Sequence, residues 1–150
     1  MLLQEVWSPD STHVARSWQL AGGGAAGYVN GYVDVQPREE PFQPFTKAAP
    51  FINGGQAVTL VWRANDHLHI KYLASDYAGR RCPGIRRVRL TYESLAEPDS
   101  SWPDWAKLVF ADRQRQEADR ARRGKPPILS LSDPPDTTCV WARSGTAPAR

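Results

Sequence analysis

His67 and His69 stand two residues apart in a stretch that alternates in polarity: Leu68, Ile70 and Tyr72 against His67, His69 and Lys71. On a strand, residues i and i+2 share a face. Both imidazoles then point the same way, as two metal ligands must. A third ligand has to come from elsewhere, from Asp66, Asp76 or His13, and the chain has only three histidines. The competing reading is two surface histidines on the wet face of a sheet, which gain charge near pH ~6. A metal-dependent enzyme using His67 and His69 therefore stays an alternative, not the leading reading.

Other chemistry finds less support. There is no GxSxG and no HExxH, so neither a nucleophile elbow nor a zincin helix is expected. Glu39, Glu40, Asp66 and Glu93 are available carboxylates, but nothing in their spacing makes a catalytic pair. The glycine-rich Gly22–Gly27 lacks both GxGxxG and a closing Lys-Ser/Thr, and a strand pattern follows it. A phosphate cradle needs a helix there. The sequence thus predicts no catalytic residues and no cofactor.

Charge and aromatic content point toward binding instead. The first 75 residues carry five basic and six acidic side chains, the last 75 fourteen and ten, and Arg far outnumbers Lys. Basic residues gather at 80–89, with Arg80, Arg81 and Arg87, and at 113–125, with Arg113 and Arg120. Such clusters attract acidic protein surfaces, nucleic acid or anionic membranes. A net charge of +3 is modest, and a single-strand platform needs aromatics beside its arginines. Alternation turns Tyr92 away from Arg87 and Arg89, which argues against nucleic acid. Six tryptophans are many for 150 residues. Most should fill the core, while Trp102 and Trp105, in Trp-Pro-Asp-Trp, are candidate exposed anchors.

The elements that would position these groups are mainly strands. Leu3–Trp7, Thr12–Leu20 and Tyr28–Val35 alternate, separated by Ser8-Pro9-Asp10-Ser11 turn chemistry and the glycine stretch. Val14, Trp18 and Leu20 share a face, as do Val29, Val33 and Val35. Residues 57–63, 67–73 and 86–92 read as an antiparallel meander with one buried and one wet, basic face. Residues 36–55 read as a long covering loop docking Phe42, Phe45, Phe51 and Ile52, and 74–85 as a loop or irregular edge. Ser101 with Asp104 predicts a capping box opening a helix over 102–122, with Trp105, Leu108 and Val109 as its buried stripe and a charged half beyond Phe110. Gly124-Lys125-Pro126-Pro127 ends it. Short strands are expected at 128–131 and 138–142.

The expected fold is therefore mainly β, an antiparallel sandwich or curled sheet with one helix in the C-terminal half. It forms a single domain over 1–142, followed by a flexible tail over 143–150. No run approaches the length of a transmembrane helix. Cys82 and Cys139 lack CxxC spacing. Either they pair, which would add about 4 kcal/mol by chain entropy and fit an oxidising compartment, or they are small core residues. The N-terminus has no signal-peptide pattern. A removed leader would put the protein in the periplasm or envelope; otherwise it is cytoplasmic.

Trp7-Ser8-Pro9-Asp10-Ser11, Gly22–Tyr28, and Val58–Trp62 running into Asp66-His67-Leu68-His69-Ile70-Lys71-Tyr72 together resemble a poorly characterised group of small bacterial proteins, often lipoprotein-like. That group has an SPDG hairpin, a GGGA turn and VxWxxDxxLxIxY strands. The resemblance covers residues 6–93, departs at Ser11 where the group has Gly, and implies no site residues. Together these features predict a non-enzymatic bacterial protein-binding domain, of the immunity or inhibitor type, facing an acidic surface on a toxin or hydrolase. The first alternative is a nucleic-acid or anionic-surface binder using 113–125.

Overall fold

A computed structural model describes residues 1–22, 28–42, 49–53, 58–73, 78–126 and 139. Among them run nine strands and one helix: β1 (Leu2–Trp7), β2 (His13–Gly22), β3 (Tyr28–Pro37), β4 (Phe51–Asn53), β5 (Val58–Ala64), β6 (His67–Leu73), β7 (Ala78–Arg81), β8 (Gly84–Ile85), β9 (Val88–Leu95) and α1 (Asp104–Arg122). The strands form two sheets, β1-β2-β3-β4-β7 and β5-β6-β9-β8. The protein is mainly β with one described helix, as the alternation predicts.

Period-two patterning makes the sandwich. Ala15, Val33, Val35 and Phe51 of the first sheet meet Leu68, Ile70 and Leu90 of the second in one continuous core. Removing such side chains from water is the main stabilising term. Phe51 is fully buried, and truncating it to Ala should cost ~3–5 kcal/mol. At the sheet edges, Trp62 Nε1 donates to the Val6 carbonyl at 2.9 Å and links β5 to β1.

The connections depart from the sequence reading in three places. First, β5 and β6 form the expected hairpin, but β6 and β9 run parallel. The chain leaves β6, adds β7 to the other sheet, and returns through β8, so the β8–β9 hairpin sends β9 back alongside β6. Parallel neighbours need such a crossover, and the stretch expected to be a loop or irregular edge supplies its two short strands, each at the edge of its sheet. Second, the covering loop ends in β4, where Phe51 joins the core. Phe42 packs elsewhere, edge-on to Trp18 at 5.5 Å. Third, Val14 and Trp18 do share a face, but it is the outer one. There Trp18, Tyr32 and Ala49 make a second apolar cluster, and Leu20 is exposed.

The Ser8–Ser11 turn follows its chemistry. The Asp10 carboxylate accepts from Ser8 Oγ at 2.7 Å, Thr12 N at 3.1 Å and Thr12 Oγ1 at 2.8 Å. Those bonds, the Ser8 hydroxyl first, hold its pKa below the ordinary value. Ser11 has φ 58°, a left-handed conformation that glycine adopts without steric cost. The expected strands 128–131 and 138–142, the tail 143–150, the Gly23–Gly27 stretch, Phe45 and Trp141 lie outside the described residues, Cys139 excepted.

Helix α1 begins two residues later than expected and without a capping box. Its N-cap is Pro103, with no side-chain cap. Ser101 instead gives both its N–H, at 2.8 Å, and its hydroxyl to Asp99 Oδ1. The Asp99 carboxyl also accepts from Lys71 Nζ at 3.0 Å. The Ser101 hydroxyl and then Lys71 pull its pKa down to about 2. At the other end Gly124, φ 67°, donates to the Ala121 carbonyl and Lys125 to that of Arg120, the paired bonds of a Schellman motif.

Candidate functional site

The outer face of the second sheet carries the two histidines, and the parallel register sets their partners. His67 lies opposite Arg89, His69 opposite Thr91 and Lys71 opposite Glu93. Arg89 Nη2 is 2.9 Å from His67 Nδ1, and His67 Nε2 is 2.7 Å from Thr91 Oγ1. Thr91 Oγ1 is 2.8 Å from His69 Nδ1, and His69 Nε2 is 2.8 Å from Glu93 Oε2.

With both rings neutral, one proton arrangement satisfies this chain. Arginine has no acceptor, so His67 Nδ1 must accept and its proton sits on Nε2. That proton is donated to Thr91. Thr91 gives its own hydrogen to His69 Nδ1, and His69 Nε2–H donates to the ionised Glu93. Both rings are then Nε2–H tautomers. Desolvation, then Arg89, lowers the His67 pKa and favours the neutral ring. The bond from His69 lowers that of Glu93.

This arrangement corrects the wet-face expectation. His69 is only 8% exposed, and all four ring nitrogens are engaged. Among the described residues no three His, Cys, Asp or Glu side chains converge as a metal set. Thr91, His69 and Glu93 do have the order of a hydroxyl, a base and an orienting acid. Thr91 also accepts from His67, so the chain joins β6 to β9 through bonds on both sides of one hydroxyl. Thr91 was not a sequence candidate. Its signal was its phase, because Thr91 and Glu93 share the face of Arg89.

A second polar cluster lies on the outer face of the first sheet, where Arg16 opposes Asp34. Arg16 Nε donates to Glu5 Oε2 at 2.8 Å and Nη1 to Gln36 Oε1 at 2.7 Å. Its guanidinium lies 5.5 Å from the centre of the Phe42 ring. Asp34 Oδ1 accepts the Val35 N–H at 2.8 Å. Burial raises the Asp34 carboxyl to about 6, against the lowering pull of that bond and of Arg86.

The helix end holds the aromatic candidates. Trp102 is not an exposed anchor. It is 2% exposed and packs with Leu73 and Ala106, and with Leu95 and Phe110 at the margin. The buried stripe is thus 102, 106, 110, not 105, 108, 109, because the helix turns its Ala106 side to the sheet. Trp105 and Leu108 face outward, 42% and 71% exposed. Beside Trp105 opens a cleft of about 230 Å³ lined by Leu3, Gln4, Ser17, Val58, Ser101, Pro103 and Trp105.

The expected arginines do not form one patch. Arg80 Nη1 donates to the Ala49 carbonyl at 3.1 Å, and Arg81 Nη1 to Tyr72 Oη at 3.0 Å. Arg120 Nε bonds the Pro126 carbonyl at 3.0 Å. Arg113 is part-buried and partnered. Within the helix, Arg115 pairs with Asp112, and Arg122 and Arg123 with Asp119. Arg87 is exposed at the β8–β9 turn. Of the seven candidate contact residues, Trp105 and Arg87 alone are exposed, toward opposite ends of the second sheet. Cys82 and Cys139 are disulfide-bonded, with Cα atoms 5.5 Å apart. Tyr92 faces the core as expected, its hydroxyl donating to the Cys82 carbonyl.

These features define a two-sheet β domain with one packed helix, polar chains on both outer faces and an open cleft at the helix start. Comparison with known protein families, with curated proteins and with solved structures finds no match.

Proposed function

We propose that this is a protein-binding domain that acts without chemistry of its own and seats an apolar side chain of its partner beside Trp105. One observation carries the reading: an exposed Trp105 lines an open cleft together with Leu3, Val58 and Pro103, and Leu108, three residues further along the helix, is exposed as well. Aromatic anchors next to a pocket are the usual anatomy of a binding hot spot. The cleft, about 230 Å³, falls below the ~300–1,000 Å³ of small-molecule sites. That size favours a protein side chain over a cofactor. The form we favour is an immunity-type or inhibitor protein that covers a toxin or hydrolase. The Arg-rich 113–125 segment lends less support to a nucleic-acid binder, because Asp112 and Asp119 pair with three of its arginines.

The test compares Trp105→Ala and Leu108→Ser with the unaltered protein. A partner captured from the native host is identified, purified and titrated against each. Both side chains are exposed, so both variants should melt as the parent does. Trp105→Ala should bind about 30-fold more weakly, a hot-spot loss of ~2 kcal/mol. Equal affinity for parent and Trp105→Ala would overturn the proposal.

A further inference from the structure

The β8–β9 hairpin closes through only two residues, Arg86 and Arg87, between the paired Ile85 and Val88. Both have positive φ, 50° and 64°, the signature of a type I′ turn. Such turns favour Asn-Gly because side chains with a Cβ are strained there. Two consecutive arginines are a poor local choice.

Arg86 has a structural reason to be there. Its Nη1 donates to Glu40 Oε2 at 2.8 Å and to the Val35 carbonyl at 3.3 Å, which ties the hairpin to the first sheet. Among the described residues Arg87 has none. It is exposed and makes no hydrogen bond or ion pair with the described residues. Strain that no internal contact offsets is what a ligand-facing residue shows.

The surroundings indicate the ligand's charge. Arg89, two residues on, and Arg63 are also exposed, and both act on His67 at this end of the sheet. Guanidinium groups grip carboxylates and phosphates through paired N–H donors. A strand of bases would also need rings to stack on. Here Tyr92 turns into the core, and Trp7 carries Arg38 over its ring at 6.0 Å. The setting fits carboxylates on a protein.

We propose that the Arg86–Arg87 turn is a binding tip, which presents Arg87 to the carboxylates of an acidic protein segment. The inference rests on the protein-binding reading and adds a second contact, at the opposite end of the sheet from Trp105.

The probe is a fluorescein-labelled hexaglutamate peptide, followed by anisotropy in 20 mM and 150 mM salt. Arg87→Gly removes charge and strain together; Arg87→Gln removes the charge and keeps the strain. Both should weaken peptide binding at least 5-fold at low salt. Arg87→Gly alone should raise the urea midpoint, by ~0.3–1 M. Trp105→Ala should bind the peptide as the parent does, which separates this contact from the cleft. Undiminished peptide binding by both Arg87 variants would overturn the proposal. Tighter binding of a twelve-residue oligothymidylate than of the peptide would overturn its choice of a protein ligand.

Discussion

Replacing Thr91 by Val keeps the side-chain shape and removes the hydroxyl that joins the two histidines. The loss is uneven. His67 Nε2 belongs to a half-buried ring and can turn to water. His69 Nδ1 belongs to a ring 8% exposed and loses the donor 2.8 Å away. An unsatisfied buried acceptor costs ~1–3 kcal/mol, so Thr91→Val should destabilise by about 2 kcal/mol, or ~4–8 °C in Tm for a domain of this size. Thr91→Ser keeps both bonds and should lose less than about 1 kcal/mol. Urea titration at pH 7.5 measures both. Long-range 15N correlation spectra should find both rings as Nε2–H tautomers in the parent. The pH dependence has a definite sign. A histidine pKa lowered by folding means that the unfolded chain binds more protons. The His67 contribution is thus complete above ~6.5 and lost as pH falls below it. A Thr91→Ser variant as unstable as Thr91→Val would refute the reasoning, as would a His69 ring protonated on Nδ1 at pH 7.5.

Asp34→Asn should act in the opposite pH direction. A carboxyl raised to about 6 by burial supports the fold fully below its unfolded value near ~3.9 and loses that support as pH rises through 6. The variant should therefore gain about 2–3 kcal/mol over the parent at pH 8 and almost nothing at pH 4, measured by urea midpoints. A gain independent of pH would refute the assignment. Reducing the Cys82–Cys139 bond, which spans 57 residues, should remove about 4 kcal/mol by the chain-entropy estimate. Thermal melts with and without reductant would then differ by ~8–16 °C; coincident melts would refute it.

The inner faces of the sandwich were legible because Leu68, Ile70 and Leu90 alternate with polar neighbours, and period two has one structural meaning. The direction of β9 was not. Val88–Tyr92 reads the same whether it pairs parallel or antiparallel with β6, and the crossover rests on strands of four and two residues, too short for any periodicity. The helix was visible but its buried side was not. Trp105, Leu108 and Val109 satisfy the 3.6-residue spacing as well as Trp102, Ala106 and Phe110 do, and only the docking of Trp102 on Leu73 and Leu95 decides between them. The histidine pair was found and its use misjudged, because its partners come from a strand whose register the sequence leaves open. The strain at Arg86 and Arg87 is a backbone property, with no signature beyond two arginines between hydrophobic residues.

That open register has a physical consequence. Moving β9 two residues along β6, so that Val88, Leu90 and Tyr92 face Leu68, Ile70 and Tyr72, would keep apolar pairs on the inner face, since the slip keeps every residue on its own face. The outer face is less tolerant. A slip one way would oppose Lys71 to Leu95; the other way it would oppose Leu73 to Glu93. Either would break the chain from Arg89 through His67, Thr91 and His69 to Glu93. We therefore expect that polar chain to fix the register that the apolar core only narrows, the role buried polar groups play in specifying one pairing among several. The double variant His69→Leu, Thr91→Val tests this. Removing both partners leaves no orphaned acceptor, so most of the stability lost in Thr91→Val should return. The amide resonances of β6 and β9 should nevertheless double, as molecules in two registers coexist. A single sharp set would mean that the shape of the inner face fixes the register unaided.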